Sequence, residues 1–300
     1  MLSRGSLSRS AVHIPARFGM YALMFILVSS RYVGTEAQTA RQESQPARCP
    51  AGYVLVPALS GYTAFNFCLA KYEMKDVGGV ARSQPAGMPW VNISRDDAMD
   101  KCQALGAGYD LVSLDQWQSA ARDIADTAIN WSSGTAYVGE LNTGNSDRTP
   151  GNAIPADNDD NNGCVGTGET CSAAVWNSQR RTHTLSNGSV VWDLAGNVWD
   201  LVRDTNLMSQ GAGGFIATFN GGDSRQIRFG NDQFCSAAGS PPHCGFGWGY
   251  MDNSAGAIRR GGDSGSVNSN VYGSGIFSTN LNFPVTYPQN IMGFRCSFQP

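Results

Sequence analysis

Trp192-Asp-Leu-Ala-Gly-Asn-Val-Trp-Asp200 lies mid-chain, with Arg260-Gly-Gly262 after it and Gly293-Phe-Arg-Cys296 near the end. Val190 to Trp192 is a short apolar run cut off by turn-forming residues. The same pattern recurs at Tyr53 to Val56, Phe67 to Tyr72 and Phe215 to Phe219. Short apolar runs separated by Gly, Asn, Asp and Ser suit strands joined by long loops. Trp192 and Trp199 read as core aromatics.

Two stretches break this pattern with helical spacing. Ser94-Arg-Asp-Asp97 places an N-cap Ser three residues before a carboxylate, and Ala98, Cys102 and Leu105 follow on one face until Gly106. Ser113 stands three residues before Gln116, a capping box, and Trp117, Ala120, Ala121 and Ile124 continue it. The adjacent carboxylates Asp96-Asp97 and Asp159-Asp160 read as cap and turn residues. Gly211-Ala-Gly-Gly214 is not set between a strand and a helix, so it is no phosphate loop.

Charged residues make up 15% of the 300-residue chain, hydrophobic ones 41%, and there are 36 Gly. Low charge with many Gly implies tight turns and few long amphipathic helices. A net charge of -3 offers no basic face for nucleic acid or an anionic membrane.

The chain starts with Arg4, Arg9 and Arg17 before the apolar run Phe18 to Val28, and Thr35-Glu-Ala37 supplies small residues after it. This is the layout of a secretory signal with cleavage after Ala37, and the run is too short to span a bilayer. An uncleaved N-terminal anchor is the alternative. The expected organisation is a signal peptide over 1–37, a linker over 38–48 and one domain over 49–300. The protein is thus expected outside the cytoplasm: periplasmic, cell-surface or extracellular.

All eight cysteines, Cys49, Cys68, Cys102, Cys164, Cys171, Cys235, Cys244 and Cys296, follow this leader. An even count in an exported chain reads as disulfides. There is no CxxC, and after the leader only His183 and His243 remain, so a zinc cage or a Cys–His nucleophile has no basis. Cys164 with Cys171 and Cys235 with Cys244 are natural local pairs; the other four allow three pairings.

Phe67-Cys-Leu-Ala-Lys-Tyr-Glu73, Pro89-Trp-Val-Asn-Ile-Ser94, Tyr109-Asp-Leu-Val-Ser-Leu-Asp-Gln-Trp117 and the three segments quoted first follow one another in an order and spacing that resembles the formylglycine-generating enzyme, or sulfatase-modifying factor, family. The resemblance covers roughly residues 50 to 298. It implies an α+β fold: an irregular, loop-rich, C-type-lectin-like domain with two main helices, stapled by disulfides. It also implies a Cys102–Cys296 bridge and, with it, Cys49–Cys68.

The family's enzymes oxidise a substrate cysteine with copper held by two cysteines shortly after the RGG segment. Here those positions fall on Ser266 and Val271, and no Cys occurs between Cys244 and Cys296. A hydroxyl and an isopropyl group do not hold Cu(I), a soft ion. No catalytic residue is assigned and copper is not expected. The branch that joins sulfur to histidine derivatives needs an iron-binding helical domain for which this chain has no room.

What remains is binding. Asp263 to Asn290 is crowded with the side chains of adaptable recognition loops. It resembles the varied C-terminal face of lectin-fold receptors diversified by retroelements. Asp263, Ser264, Ser266, Asn268, Asn270, Tyr272, Asn280, Asn282 and Tyr287 are the candidate contacts for a surface protein, peptide or glycan, with Tyr272 and Tyr287 as anchors. Alternative readings are an active sulfatase-modifying copper oxidase, or a structural envelope protein whose loop only covers the core. Calcium, as a structural ion, has two candidate sites. Asn158, Asp160, Asn162 and Glu169 follow EF-hand spacing with Gly163 at the sixth position. The family resemblance supplies Asn197, Val198 and Asp200.

Overall fold

The computed structural model describes residues 48–147, 151–156, 163–172, 176–206, 215–218, 228–231, 244–251, 256–265, 267–268 and 271–300. The expected leader (1–37) and nearly all of the linker lie outside them. The described residues belong to one unit, Ser44–Pro300.

In chain order the elements open with β1 (Tyr53–Val56), β2 (Phe67–Ala70), β3 (Met74–Val77), β4 (Val80–Ser83), α1 (Arg95–Gln103), β5 (Tyr109–Leu111) and α2 (Leu114–Asp126). The middle holds β6 (Thr182–Thr184), β7 (Val190–Trp192), β8 (Trp199–Asn206), β9 (Phe215–Thr218) and β10 (Trp248–Met251). The chain closes with β11 (Gly256–Arg260), β12 (Val267–Asn268), β13 (Val271–Tyr272), β14 (Thr279–Phe283), β15 (Met292–Phe294) and β16 (Cys296–Phe298). This is the expected loop-rich α+β arrangement with two main helices.

Both helices start at their expected caps. Ser94 Oγ accepts from Asp97 N at 3.1 Å and donates to the Asp97 carboxylate. At α2 the capping box is complete: Ser113 N donates to Gln116 Oε1, and Gln116 N to Ser113 Oγ. Leu114, Trp117, Ala121 and Ile124 form the buried face of α2, and the Trp117 indole N–H donates to Ile276 O at 2.8 Å. That bond couples the helix to the C-terminal third of the chain.

Two sheets carry the fold. One runs β1-β2-β16-β5; the other runs β15-β8-β11-β14-β10-β9 and is mixed, since β15 lies parallel to β8 and β10 parallel to β14. The last strand therefore joins early ones: β16 sits between β2 and β5, with Ser297 opposite both Leu69 and Asp110. Three disulfides are described, Cys49–Cys68, Cys102–Cys296 and Cys164–Cys171. The second spans 194 positions and fastens α1 to the last strand. In the chain-entropy account, closing so long a loop is worth about 4–5 kcal/mol. Cys244 is disulfide-bonded too, and its expected partner Cys235 lies outside the described residues.

Candidate functional site

The quoted central segment becomes a hub of buried charge. Asp193 accepts a two-pronged fork from Arg181, Nε to Oδ1 and Nη2 to Oδ2, each at 2.7 Å. Asp200 accepts from Arg295 Nε at 2.7 Å, while Arg295 Nη2 donates to Asp193 O at 2.6 Å. Asn197 Nδ2 donates to Glu73 Oε2 at 2.6 Å, and Lys75 lies 3.9 Å from the same oxygen. The turn between the acids needs unusual backbone: Asp193 and Asn197 have φ of 52° and 64°, which Asp and Asn tolerate better than most residues. At Gly196 a Cβ would come within 2.6 Å of Asn145 O, so only Gly fits. Trp192 and Trp199 are both buried core aromatics, as expected.

Burial sets the protonation of this hub. It pushes Glu73 up to about 8, reinforced by Asp193 and opposed by Lys75, and it lowers Lys75. Asp200 is pushed up to about 6 by burial against the pull of Arg295. The family landmarks FCLAKYE, WDLAGNVWD and GFRC thus meet in one structural knot.

The second landmark pair frames the candidate face. After β11 the chain leaves through Gly261 and Gly262, both at φ 89°. Gly261 O accepts from Gly196 N and Gly275 N, and Ser264 N donates to Asn197 O. Ser274 Oγ donates to Asp263 O. The base of the 263–290 segment is therefore stitched to the hub by backbone bonds.

The expected contacts fall on different sides of this base. Asp263, Ser264 and Asn280 are buried: Asp263 accepts from Gly265 N and its carbonyl from Ser274, so it builds the loop. Asn268 and Tyr272 belong to the β12–β13 hairpin, where Val267 faces Tyr272 and Asn268 faces Val271. Asn282 lies in β14. Ser266 and Asn270 lie outside the described residues. Tyr287 is 50% exposed.

Tyr287 caps an ordered stack. Its ring lies on Phe283 at 5.9 Å and 23°. Arg259 sits on Phe283, 3.6 Å from its centroid, with Trp199 5.1 Å away. Arg259 Nη1 also donates to Gln289 Oε1 at 3.2 Å. Sequence reading missed Phe283, Arg259 and Gln289. The alternation of Asn280 and Asn282 with Leu281 and Phe283 along one strand was the available signal.

The residues at the copper positions and at the 197–200 turn do not fit the metals the family resemblance implies. The copper positions are Ser266 and Val271, and the cysteines among the described residues are disulfide-bonded. For calcium at Asn197, Val198 and Asp200, the Asn197 Oδ1 already accepts from Ile154 N and Asn145 Nδ2, its carbonyl from Ser264 N, and Asp200 is paired with Arg295. Asn158, Asp160 and Asn162 lie outside the described residues. Glu169 is exposed and accepts from Asn177 Nδ2.

Comparison with known proteins gives the class. A sulfatase-modifying factor enzyme 1-like domain matches residues 58–298, and the chain belongs to that family, with its C-type-lectin-like fold. Among solved structures it is similar to the Major Tropism Determinant U1 variant, with 15% identity and a TM-score of 0.41, over 84% of this chain and 54% of that one. The chain therefore spans about half that protein's length. It is also similar to Treponema denticola variable protein 1 (12% identity, TM-score 0.34, 83% and 92% covered) and to PvdO from Pseudomonas aeruginosa (13%, 0.36, 84% and 92%). No curated protein matches the chain.

Proposed function

We propose that the chain is an exported recognition protein that uses the sulfatase-modifying factor scaffold for binding rather than oxidation. The observation that carries this is the Tyr287–Phe283–Arg259 stack, an exposed aromatic end backed by a half-buried ring and a buried cation. Tyr offers a large, stiff contact with a polar tip at small entropy cost, the chemistry of a binding anchor. Its ligand is a surface protein, peptide or glycan. Disulfide bonding suits an oxidising compartment, and among the described residues no helix is long and apolar enough to cross a membrane.

One paired experiment tests the reading. Given copper, oxygen and a peptide carrying a sulfatase-type cysteine, the protein is expected to form no aldehyde; formylglycine above background overturns the assignment. On peptide and glycan arrays, Tyr287→Ala is expected to remove most signals seen with the parent protein. Calcium enters only as a structural ion of the 158–169 loop, read as a melting temperature that calcium raises and chelator restores.

A further inference from the structure

A cleft of about 300 Å³ opens far along the chain from that face, between the start of β1, β4 and the turn before β5. Gly52, Tyr53, Arg82, Ser83, Gln84 and Tyr109 line it. Its volume stands at the small end of ligand pockets, room for about one ring. Three features give it chemistry.

The first is an aromatic wall. Tyr53 meets Tyr109 edge-on at 5.7 Å, and Tyr109 rests on Phe298 at 4.7 Å, so the rings are held from behind. The second is Arg82, exposed at the rim and without an ion-pair partner among the described residues. The third is the Tyr53 hydroxyl, buried yet without a hydrogen-bond partner. Such a group costs stability unless something satisfies it. Burial, with Tyr109 beside it, pushes the Tyr53 pKa up, so the hydroxyl stays a neutral donor and acceptor. By contrast, Ser83 Oγ is already spent, donating to Gly52 O at 2.6 Å and accepting from Tyr72 N. Gln84 spends its Nε2 on Ala86 O and keeps its Oε1 for another donor.

We infer that this cleft is a second binding site, for a single sugar ring bearing a carboxylate, such as a uronic acid. The guanidinium of Arg82 offers a planar fork matched to a carboxylate. The ring wall takes the apolar face of the sugar, and the Tyr53 hydroxyl and Gln84 Oε1 take its hydroxyls. An acid without hydroxyls leaves Tyr53 unsatisfied; a neutral sugar leaves Arg82 unused.

The test is a titration of the full secreted chain, followed by ligand-observed NMR, with sodium D-glucuronate, D-glucose and sodium benzoate. Glucuronate is expected to bind most tightly. Arg82→Gln and Tyr53→Phe are each expected to weaken it roughly tenfold or more, while Tyr287→Ala leaves it unchanged. Tyr53→Phe, which deletes only an unpartnered hydroxyl, should leave the melting temperature level or raised. Glucose binding as tightly as glucuronate overturns the carboxylate assignment. Benzoate matching glucuronate overturns the sugar. Absence of glucuronate binding, or a fall in melting temperature for Tyr53→Phe, overturns the site. Because Tyr287 takes no part, these outcomes are separate from those that decide the recognition face.

Discussion

Arg295 and Arg260 carry charge into the same interior in opposite ways. Arg295 has a carboxylate, Asp200, on its Nε, and gives Nη2 to Asp193 O and Nη1 to the carbonyls of Ala70 and Lys71. Arg260, at the base of the 263–290 segment, has no carboxylate partner among the described residues. Its Nη1 donates to Thr279 Oγ1, its Nη2 to Phe229 O at 2.7 Å, its Nε has no partner among the described residues, and its guanidinium lies 5.8 Å from the Trp117 centroid. Burial alone lowers its pKa to about 9. The paired charge ties three chain segments distant in sequence together: 70–71, 193–200 and Arg295 itself. The unpaired one is a side chain supported by a ring and two oxygens.

That contrast can be broken by mutation. Arg295→Met strands Asp200 as a buried carboxylate and leaves three carbonyls without their donor, so it should cost about 3–5 kcal/mol in chemical denaturation. Adding Asp200→Leu should recover much of the loss, because removing both partners of a buried pair is often neutral. A single-mutant cost under about 1 kcal/mol would show that the knot does not hold the landmarks together.

His183 sharpens the comparison from the side of pH. It is fully buried on β6, with Nε2 3.3 Å from Asn142 O. Burial lowers its pKa from 6.5 to about 4, and Arg180 and Arg295 add to the shift against the bond to Asn142. The unfolded chain thus binds a proton that the folded one refuses between pH 6.5 and 4. Stability from this group is complete above pH 6.5 and drains as pH falls towards 4, about 3 kcal/mol in all. In a His183→Gln variant the acid slope across that window should flatten relative to the parent; parallel curves would mean the ring charges freely when folded.

Arg260→Met should be milder, under about 2 kcal/mol, since it strands no carboxylate and its thioether can fill the space beside Trp117. A loss as large as that of Arg295→Met would erase the distinction between the two arginines.

The same division explains what was legible in the chain. Helices announced themselves through local chemistry, Ser94 and Ser113 three residues ahead of their capping partners. Cys164–Cys171 was legible from spacing, but Cys102–Cys296 only through family resemblance, since nothing local links residues 194 positions apart. The hub was illegible for that reason too: the pairing of Asp200 with Arg295 is a property of the β8–β15 register, not of either neighbourhood. Composition marked 263–290 as polar and adaptable, yet it could not separate residues that close the loop on itself, such as Asp263 and Ser264, from Tyr287, which faces out. Both kinds are polar because a loop must satisfy its own backbone before it can offer side chains to a partner.

Tyr287 is where that separation has its smallest and most discriminating effect. Its ring is 50% exposed and rests on one face of Phe283, whose other neighbour is Arg259. Tyr287→Ala therefore removes one stacked contact at the surface and opens no cavity. It should shift stability by less than about 1 kcal/mol. Phe283→Ala should cost more, since it also takes away the ring beneath Arg259 and beside Tyr287. If Tyr287 is an anchor, its loss weakens binding by about 2 kcal/mol or more while the melt hardly moves. Differential scanning calorimetry and array binding on the two single variants decide this. Equal melting losses for both, with array signals unchanged for the folded fraction, would make the stack a cover for the core and remove the basis for recognition.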